Sequence, residues 1–151
     1  MRVIGIDPGT SCGWALLEDG RRLGSGVWDL KPRRHQGGGM RYLRVRRYLE
    51  ELLAHRPDAV VYEEVRRHAG TDAAHVYGGI IATVTALLED VGIPYEGVPV
   101  GTVKRIATGK GNAGKDAMVQ AARERWGIEP ATDDEADALW VAAAWLEQVG
   151  A

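Results

Sequence analysis

Four carboxylates at three separated places carry the chemistry this chain offers. Asp7 closes an apolar run, Val3-Ile4-Gly5-Ile6, and opens the turn Pro8-Gly9-Thr10. Glu63 closes a second run, Ala59-Val60-Val61-Tyr62, with Glu64 beside it. Asp134 and Asp137 stand three apart in Asp133-Asp134-Glu135-Ala136-Asp137-Ala138-Leu139, at the head of an apolar C-terminal segment. A carboxylate at the end of a buried strand loses hydration and needs a cation or hydrogen bonds in compensation. If these acids converge, they line an all-oxygen site suited to Mg²⁺ or Mn²⁺.

Metal-dependent phosphodiester hydrolysis is the reading these residues support. Such hydrolysis needs an activated water, charge stabilisation at phosphorus and a stabilised leaving oxygen, and two metal ions about 4 Å apart supply all three. Asp7, on a rigid strand end, suits a bridging role, and Glu63 can cap one ion from a neighbouring strand. Asp134 and Asp137, one helical turn apart, can complete the cage, with Asp133 as a second-choice ligand. Each acid also has an ordinary alternative. Asp7 can accept from the Pro8-Gly9-Thr10 turn, and Asp133 or Asp134 can serve as a helix N-cap.

The elements that must position these acids follow from periodicity and punctuation. Residues 2–7, 13–18, 22–30, 59–63 and 93–98 read as strands, with Asp19-Gly20 as a tight hairpin turn between the second and third. The stretch from Lys31 to Gly39 is polar, Gly-rich and expected to be a mobile loop. Val45, Leu49, Leu52 and Leu53 repeat at helical spacing over 40–55, with Arg41, Arg44 and Arg47 on another stripe. A second helix spans about 71–91, with Val76, Ile80, Val84, Leu87 and Val91 on one face. Its internal Gly78-Gly79 pair costs about 1 kcal/mol per residue against alanine, which close approach of another backbone would explain, a subunit interface being one candidate. Further helices are expected at 100–107, 115–126 and 134–148, with a Gly-rich loop over 109–114. The order of elements indicates one α/β domain over 1–151, built on a mixed sheet of five strands, one antiparallel to the rest.

Composition limits the alternatives. The 151 residues are 45% hydrophobic, enough for one core. Cys12 is the single cysteine, which excludes an internal disulfide and a cysteine-rich zinc site. With no apolar run of membrane-spanning length and no signal-like N-terminus, an intracellular, cytoplasmic protein is expected. The net charge of −2 conceals an asymmetry. Lys31, Arg33, Arg34, Arg41, Arg44, Arg46 and Arg47 fall in one stretch without an acid, while Arg125 is the single base after Glu124. The guanidinium fork pairs bidentately with phosphate, so Arg41, Arg44 and Arg47 are expected to contact a polyanion. The four histidines show no metal-ligand spacing; His35 and His68 are candidate phosphate contacts.

Gly5-Ile6-Asp7-Pro8-Gly9-Thr10, Tyr62-Glu63-Glu64-Val65 and Asp134-Glu135-Ala136-Asp137-Ala138-Leu139 together resemble the RuvC family of Holliday junction resolvases. Between them, Pro99-Val100-Gly101-Thr102-Val103-Lys104 and Thr108-Gly109-Lys110-Gly111-Asn112-Ala113-Gly114-Lys115 resemble two further segments of that family. The resemblance runs over nearly the whole chain, in order and with comparable spacing. It implies an RNase H-like fold, a homodimer acting on branched DNA, and Mg²⁺-dependent paired nicks across a four-way junction; it leaves room for a helicase or branch-migration partner without requiring one. It carries over Asp7, Glu63, Asp134 and Asp137 as ligands of two Mg²⁺ ions, replaceable by Mn²⁺. It carries over Lys104 and Lys115 as basic residues near the scissile phosphate or the bound strand, Lys115 being included among the catalytic group. Lys110 lies in the same loop, which offers amides and ammonium groups to a phosphate.

One departure concerns the position after Glu-x-Val, where the family often has an aromatic that stacks on an unpaired base. Here Arg66 stands there, followed by Arg67 and His68; arginine stacks on bases and binds phosphates, so both arginines are candidate DNA contacts. Competing readings are a related RNase H-like nuclease acting on flapped DNA or RNA, and a catalytically silent junction-binding module. An actin-like ATPase lobe, suggested by Asp7-Pro8-Gly9-Thr10-Ser11, needs a second lobe and a much longer chain.

Overall fold

The computed structural model describes residues 1–150. Five strands, β1 (Arg2–Asp7), β2 (Ser11–Glu18), β3 (Arg21–Asp29), β4 (Ala59–Glu64) and β5 (Tyr95–Pro99), form one sheet in the order β3-β2-β1-β4-β5. β2 runs antiparallel to β1 and β3, while β1, β4 and β5 are parallel, so one strand opposes the other four. Five helices complete the chain: α1 (Gly39–Leu53), α2 (Thr71–Val91), α3 (Val100–Thr108), α4 (Lys115–Trp126) and α5 (Asp133–Gln148). The β2–β3 hairpin closes on Asp19 and Gly20, both at positive φ (52° and 82°), the conformation an Asp-Gly type I′ turn demands. No helix among the described residues is long and apolar enough to cross a membrane.

Side-chain alternation divides the core into two layers. Ile4, Ile6, Leu16 and Val60 face α1 and α2, meeting Val45, Leu49, Ile80, Val84 and Leu88. Val3, Ala15, Leu17, Val61 and Val98 face the other way, onto Val103 of α3, Met118 of α4 and the apolar length of α5. Asp7 continues the Val3-Gly5 face of β1, and Glu63 continues the Val61 face of β4. Because Ile6 pairs with Tyr62 in the parallel register, both acids emerge side by side, on the α5 face, at the C-terminal ends of adjacent strands.

Two glycines set how close α5 comes. A Cβ on Gly5 of β1 would stand 2.3 Å from the Ala138 carbonyl oxygen, and one on Gly13 of β2 would stand 1.9 Å from that of Asp134. The helix backbone therefore lies directly on the sheet where Asp134 and Asp137 leave it.

Several expectations need adjustment. Gly79 does accommodate a close neighbour, but it is the Tyr42 ring of α1, 2.4 Å from where a Cβ would be, within the same chain. Gly78 has nothing within 4 Å. Helix α2 buries Leu88 rather than Val91, which is 50% exposed at the helix end. The stretch over 31–38, expected to be loose, has no regular element but is braced. Arg44 donates to the Lys31 carbonyl and to Gln36, and the Arg33 amide donates to Gln36 at 2.9 Å.

Candidate active site

Asp7, Glu63 and Asp137 bring carboxylate oxygens within 4.8 Å of one another. Asp7 and Glu63 come from adjacent strand ends, and Asp137 from one turn inside α5. By surface area each is intermediate, open on one side and enclosed by protein on the others. Asp134 joins from the first turn of α5, near enough to Asp7 to help push that carboxyl up. Its Oδ2 accepts from Ser11 Oγ at 3.0 Å, so a residue at the start of β2 fixes its direction. The N-cap of α5 is Thr132, whose hydroxyl accepts from the Asp134 amide at 3.2 Å. Neither Asp133 nor Asp134 is spent on that task. Asp133 lies outside the three-acid group and faces Lys115, whose Nζ is 3.9 Å from its Oδ2.

Burial first, and like charges second, shape the titration of the site. Burial, then Glu63, Asp137 and Asp134, hold Asp7 well above the usual carboxylate range. Burial, with Glu63 and Asp133 next, pushes Asp137 up from 3.8 to about 8. Glu63 rises from 4.5 to about 6, chiefly through burial, with Lys104 pulling it back. Lys104 of α3 is the cation that acts on both Glu63 and Asp137, though it closes no ion pair with either among the described residues. Three carboxylates this close leave a deficit of positive charge. The donors are all oxygens, with no histidine or thiolate among them, which fits a hard divalent cation. Cys12 beneath the site is fully buried, and burial pushes its thiol up, so it is an inert packing residue.

The strand end bearing Glu63 is pinned from α2. Tyr77 donates its hydroxyl to the Glu63 carbonyl at 2.9 Å and accepts from the Val65 amide at 3.1 Å. Glu64, on the opposite face of β4, pairs with Arg66 at 3.5 Å and takes no part in the acid cluster. That separates two adjacent glutamates whose chemistry alone is identical.

The basic residues expected to meet a polyanion fall into distinct settings. Arg41 lines a cavity of about 420 Å³ immediately beside the Asp7 turn, with Pro8, Gly9, Thr10, Val65, His68 and Tyr77 among its other walls. Its Nε is buried without a hydrogen-bond partner. Arg44 has its guanidinium engaged by Lys31 and Gln36, whereas Arg47 is exposed. Arg66 (81% exposed), Arg67 and Lys110 project from loops around the same end of the sheet, and Lys115 (83% exposed) opens α4 at the rim.

Sequence reasoning did not single out Ser11, Tyr77 or Glu135. Glu135 is the one charged residue among the buried side chains, at 5% exposure. Thr132-x-x-Glu135 is a legible capping-box pattern; nothing in the sequence marks Ser11 or Tyr77, whose partners lie far along the chain.

No model of a known protein family matches the chain. Individual relatives do. A crossover junction endodeoxyribonuclease RuvC from Anaeromyxobacter sp. (strain K) is 36% identical over 155 aligned positions, covering 97% of this chain and 80% of the relative. RuvC of Synechococcus sp. (strain WH7803) is 30% identical over 98% of this chain and its own full length. Among solved structures, T. thermophilus RuvC in complex with a Holliday junction substrate superposes with a TM-score of 0.85 at 27% identity, covering 99% of this chain and 96% of that one. The yeast mitochondrial Holliday junction resolvase Ydc2, at 16% identity, covers 96% of this chain and 77% of that one with a TM-score of 0.64 and shares the fold. Sequence and architecture agree along the full length: the chain belongs to the RuvC family of crossover junction endodeoxyribonucleases.

Proposed function

We propose that this protein resolves four-way DNA junctions, nicking two strands symmetrically across the branch point, as a cytoplasmic homodimer dependent on Mg²⁺. The observation that carries the reading is the group formed by Asp7, Glu63 and Asp137, with Asp134 against it, at the strand ends of a chain in this family. A two-fold enzyme matches a two-fold substrate and puts one site on each of two opposed strands. A branch-migrating helicase is a partner compatible with such a role.

Asp7, Glu63, Asp134 and Asp137 would hold two divalent ions, with Mn²⁺ able to replace Mg²⁺. When bound, such ions supply charge neutralisation at the phosphate and a more acidic water for attack. The chain's own residues do the rest. Ser11 and Thr132 orient Asp134, and Tyr77 fixes the backbone beneath Glu63. Lys104 lowers the proton affinity of Glu63 and Asp137, so these acids reach the ionised state more readily. Arg41, Arg47, Arg66, Arg67, Lys110 and Lys115 offer cations to the DNA backbone, which fixes register and adds affinity without base specificity.

The test is cleavage in Mg²⁺ of a labelled four-way junction beside matched duplex, flap and RNA–DNA hybrid. Paired nicks that leave ligatable duplexes, lost in Asp7→Asn while junction binding is kept, are expected. Cutting of flap or hybrid with the junction untouched would overturn the resolvase reading in favour of a sister nuclease. Binding without cleavage of any substrate in Mg²⁺ or Mn²⁺ would overturn the catalytic one.

A further inference from the structure

Between Asp134 and Asp137 on α5, Glu135 turns the other way. It is buried to 5% exposure, and both of its carboxylate oxygens are used. Oε1 accepts from the Ala131 amide at 2.7 Å, the backbone donor just before the Thr132 N-cap. Oε2 accepts from Ser25 Oγ at 2.6 Å. Ser25 lies on β3, two strands from Asp7, and pairs in register with Ala15 of β2. Its Oγ in turn accepts from Arg22 Nε at 2.6 Å. A surface guanidinium, a hydroxyl and a buried carboxylate thus form a chain from the outer strand to the first turn of α5.

Each of three neighbouring strands holds one point of that helix. β1 meets the Ala138 carbonyl at Gly5, β2 meets the Asp134 carbonyl at Gly13, and β3 reaches Glu135 through Ser25. The first two contacts and the buried apolar face of α5 set how near the helix lies, and Ser11 directs Asp134 from β2. The Ser25–Glu135 bond is directional and lies on the far side of the helix from the acids. Rotating α5 by one residue's worth of angle, about 100°, would bring Glu135 toward the site and swing Asp137 away. A bond that holds Glu135 outward thus favours the rotation in which Asp134 and Asp137 face inward.

We propose that Glu135 is a positioning residue, which through Ser25 locks the rotation of α5 and thereby the placing of Asp134 and Asp137 for metal. The proposal rests on the metal-dependent reading of the acid cluster. Groups that orient metal ligands typically carry a 10–100-fold effect on affinity or activity when removed. Calorimetric titration with Mn²⁺ alone, without DNA, reads the effect directly. Glu135→Ala and Ser25→Ala are expected to weaken Mn²⁺ affinity by about 10-fold or more. The Mg²⁺ needed for half-maximal cleavage should rise in parallel, while affinity for uncut junction in EDTA stays at the wild-type value. Glu135→Gln, which keeps an acceptor for Ala131 and a partner for Ser25, should recover most of the loss.

Ser25→Ala removes the bonds to Glu135 and to Arg22 but leaves the Ala131–Glu135 bond and the Thr132 cap intact, so it tests the role even if Glu135→Ala folds poorly. Wild-type Mn²⁺ affinity in Ser25→Ala, with any activity loss matching its unfolded fraction, would overturn the positioning role alone. No Mn²⁺ binding by the wild type would overturn the metal-dependent reading and this role with it.

Discussion

Removing metal should leave this protein with a strong and unusual dependence of stability on pH, and Asp137→Asn should abolish much of it. Burial and its acidic neighbours move Asp137 from 3.8 to about 8 on folding, while Glu63 moves from 4.5 to about 6. A carboxyl whose pKa is raised by folding binds more protons folded than unfolded between the two values. Stability is then greatest below the unfolded pKa and falls as pH rises toward the folded one. At about 1.4 kcal/mol per pKa unit, Asp137 alone accounts for on the order of 5 kcal/mol between pH 4 and 8. Water and counterions entering the open side of the site reduce this, so a loss of about 2–5 kcal/mol is expected, against a total stability of about 5–15 kcal/mol for a domain. Urea denaturation in EDTA at pH 5, 6.5 and 8 and about 0.15 M salt measures it. At pH 5 Asp137→Asn should lead by only about 1 kcal/mol, since folded Asp137 is still protonated and like the amide, while only its unfolded counterpart has begun to ionise. At pH 8 the variant should be the more stable by those 2–5 kcal/mol. Mg²⁺ should restore the wild type at pH 8 and help the variant far less. Parallel pH curves for the two proteins, or a metal-free wild type that gains stability from pH 5 to 8, would refute the account of the site as uncompensated carboxylates.

Gly13→Ala should cost more than about 2 kcal/mol in urea denaturation and also weaken Mn²⁺ binding, because a methyl group 1.9 Å from the Asp134 carbonyl must push α5 off β2. An unchanged midpoint would mean that the helix does not rest on the sheet there. Lys104→Met should move the acid limb of the cleavage pH profile to higher pH, since the cation that lowers the Glu63 and Asp137 pKa values is gone; a shift to lower pH would contradict its placement. In the salt dependence of junction binding, Arg41→Ala and Arg47→Ala should each flatten the slope by about 0.9. Arg44→Ala should change it less, because its guanidinium is already held by Lys31 and Gln36; equal effects of all three would restore a uniform basic stripe.

The order and approximate bounds of all ten elements were legible because strand ends, turns and caps are local. Asp-Gly marks the hairpin, Pro99 stops β5, and Gly92, Gly109 and Gly127 end helices in the left-handed conformation. The acids were legible as a set because each sits where an apolar element ends. What the sequence left open depends on partners distant along the chain. Glu63 and Glu64 are separated by the face each takes in a register fixed by β1. Gly79 is explained by Tyr42, a residue 37 positions earlier. Arg44 shares its stripe with Arg41 and Arg47, and only the fold shows its guanidinium bonded to the preceding loop. Ser11, Tyr77 and Ser25 carry no motif at all, and matter because of what the fold sets beside them.

Helix α5 touches all five strands as well as α3 and α4. Ten of its sixteen residues are buried. The element that brings two of the acids is thus also the one whose release would open the core. Local fluctuations of low cost belong elsewhere, in loops such as 66–70 and 109–114 that cover the strand ends. Amide exchange in α5 should therefore occur through whole-molecule unfolding, with protection close to the global limit. An excursion that moved Asp137 out of the acid cluster would have to unpack that buried face, so it should cost nearly as much as global unfolding. Two of the four acids are thus carried by the core itself, and their placing should not wait for substrate.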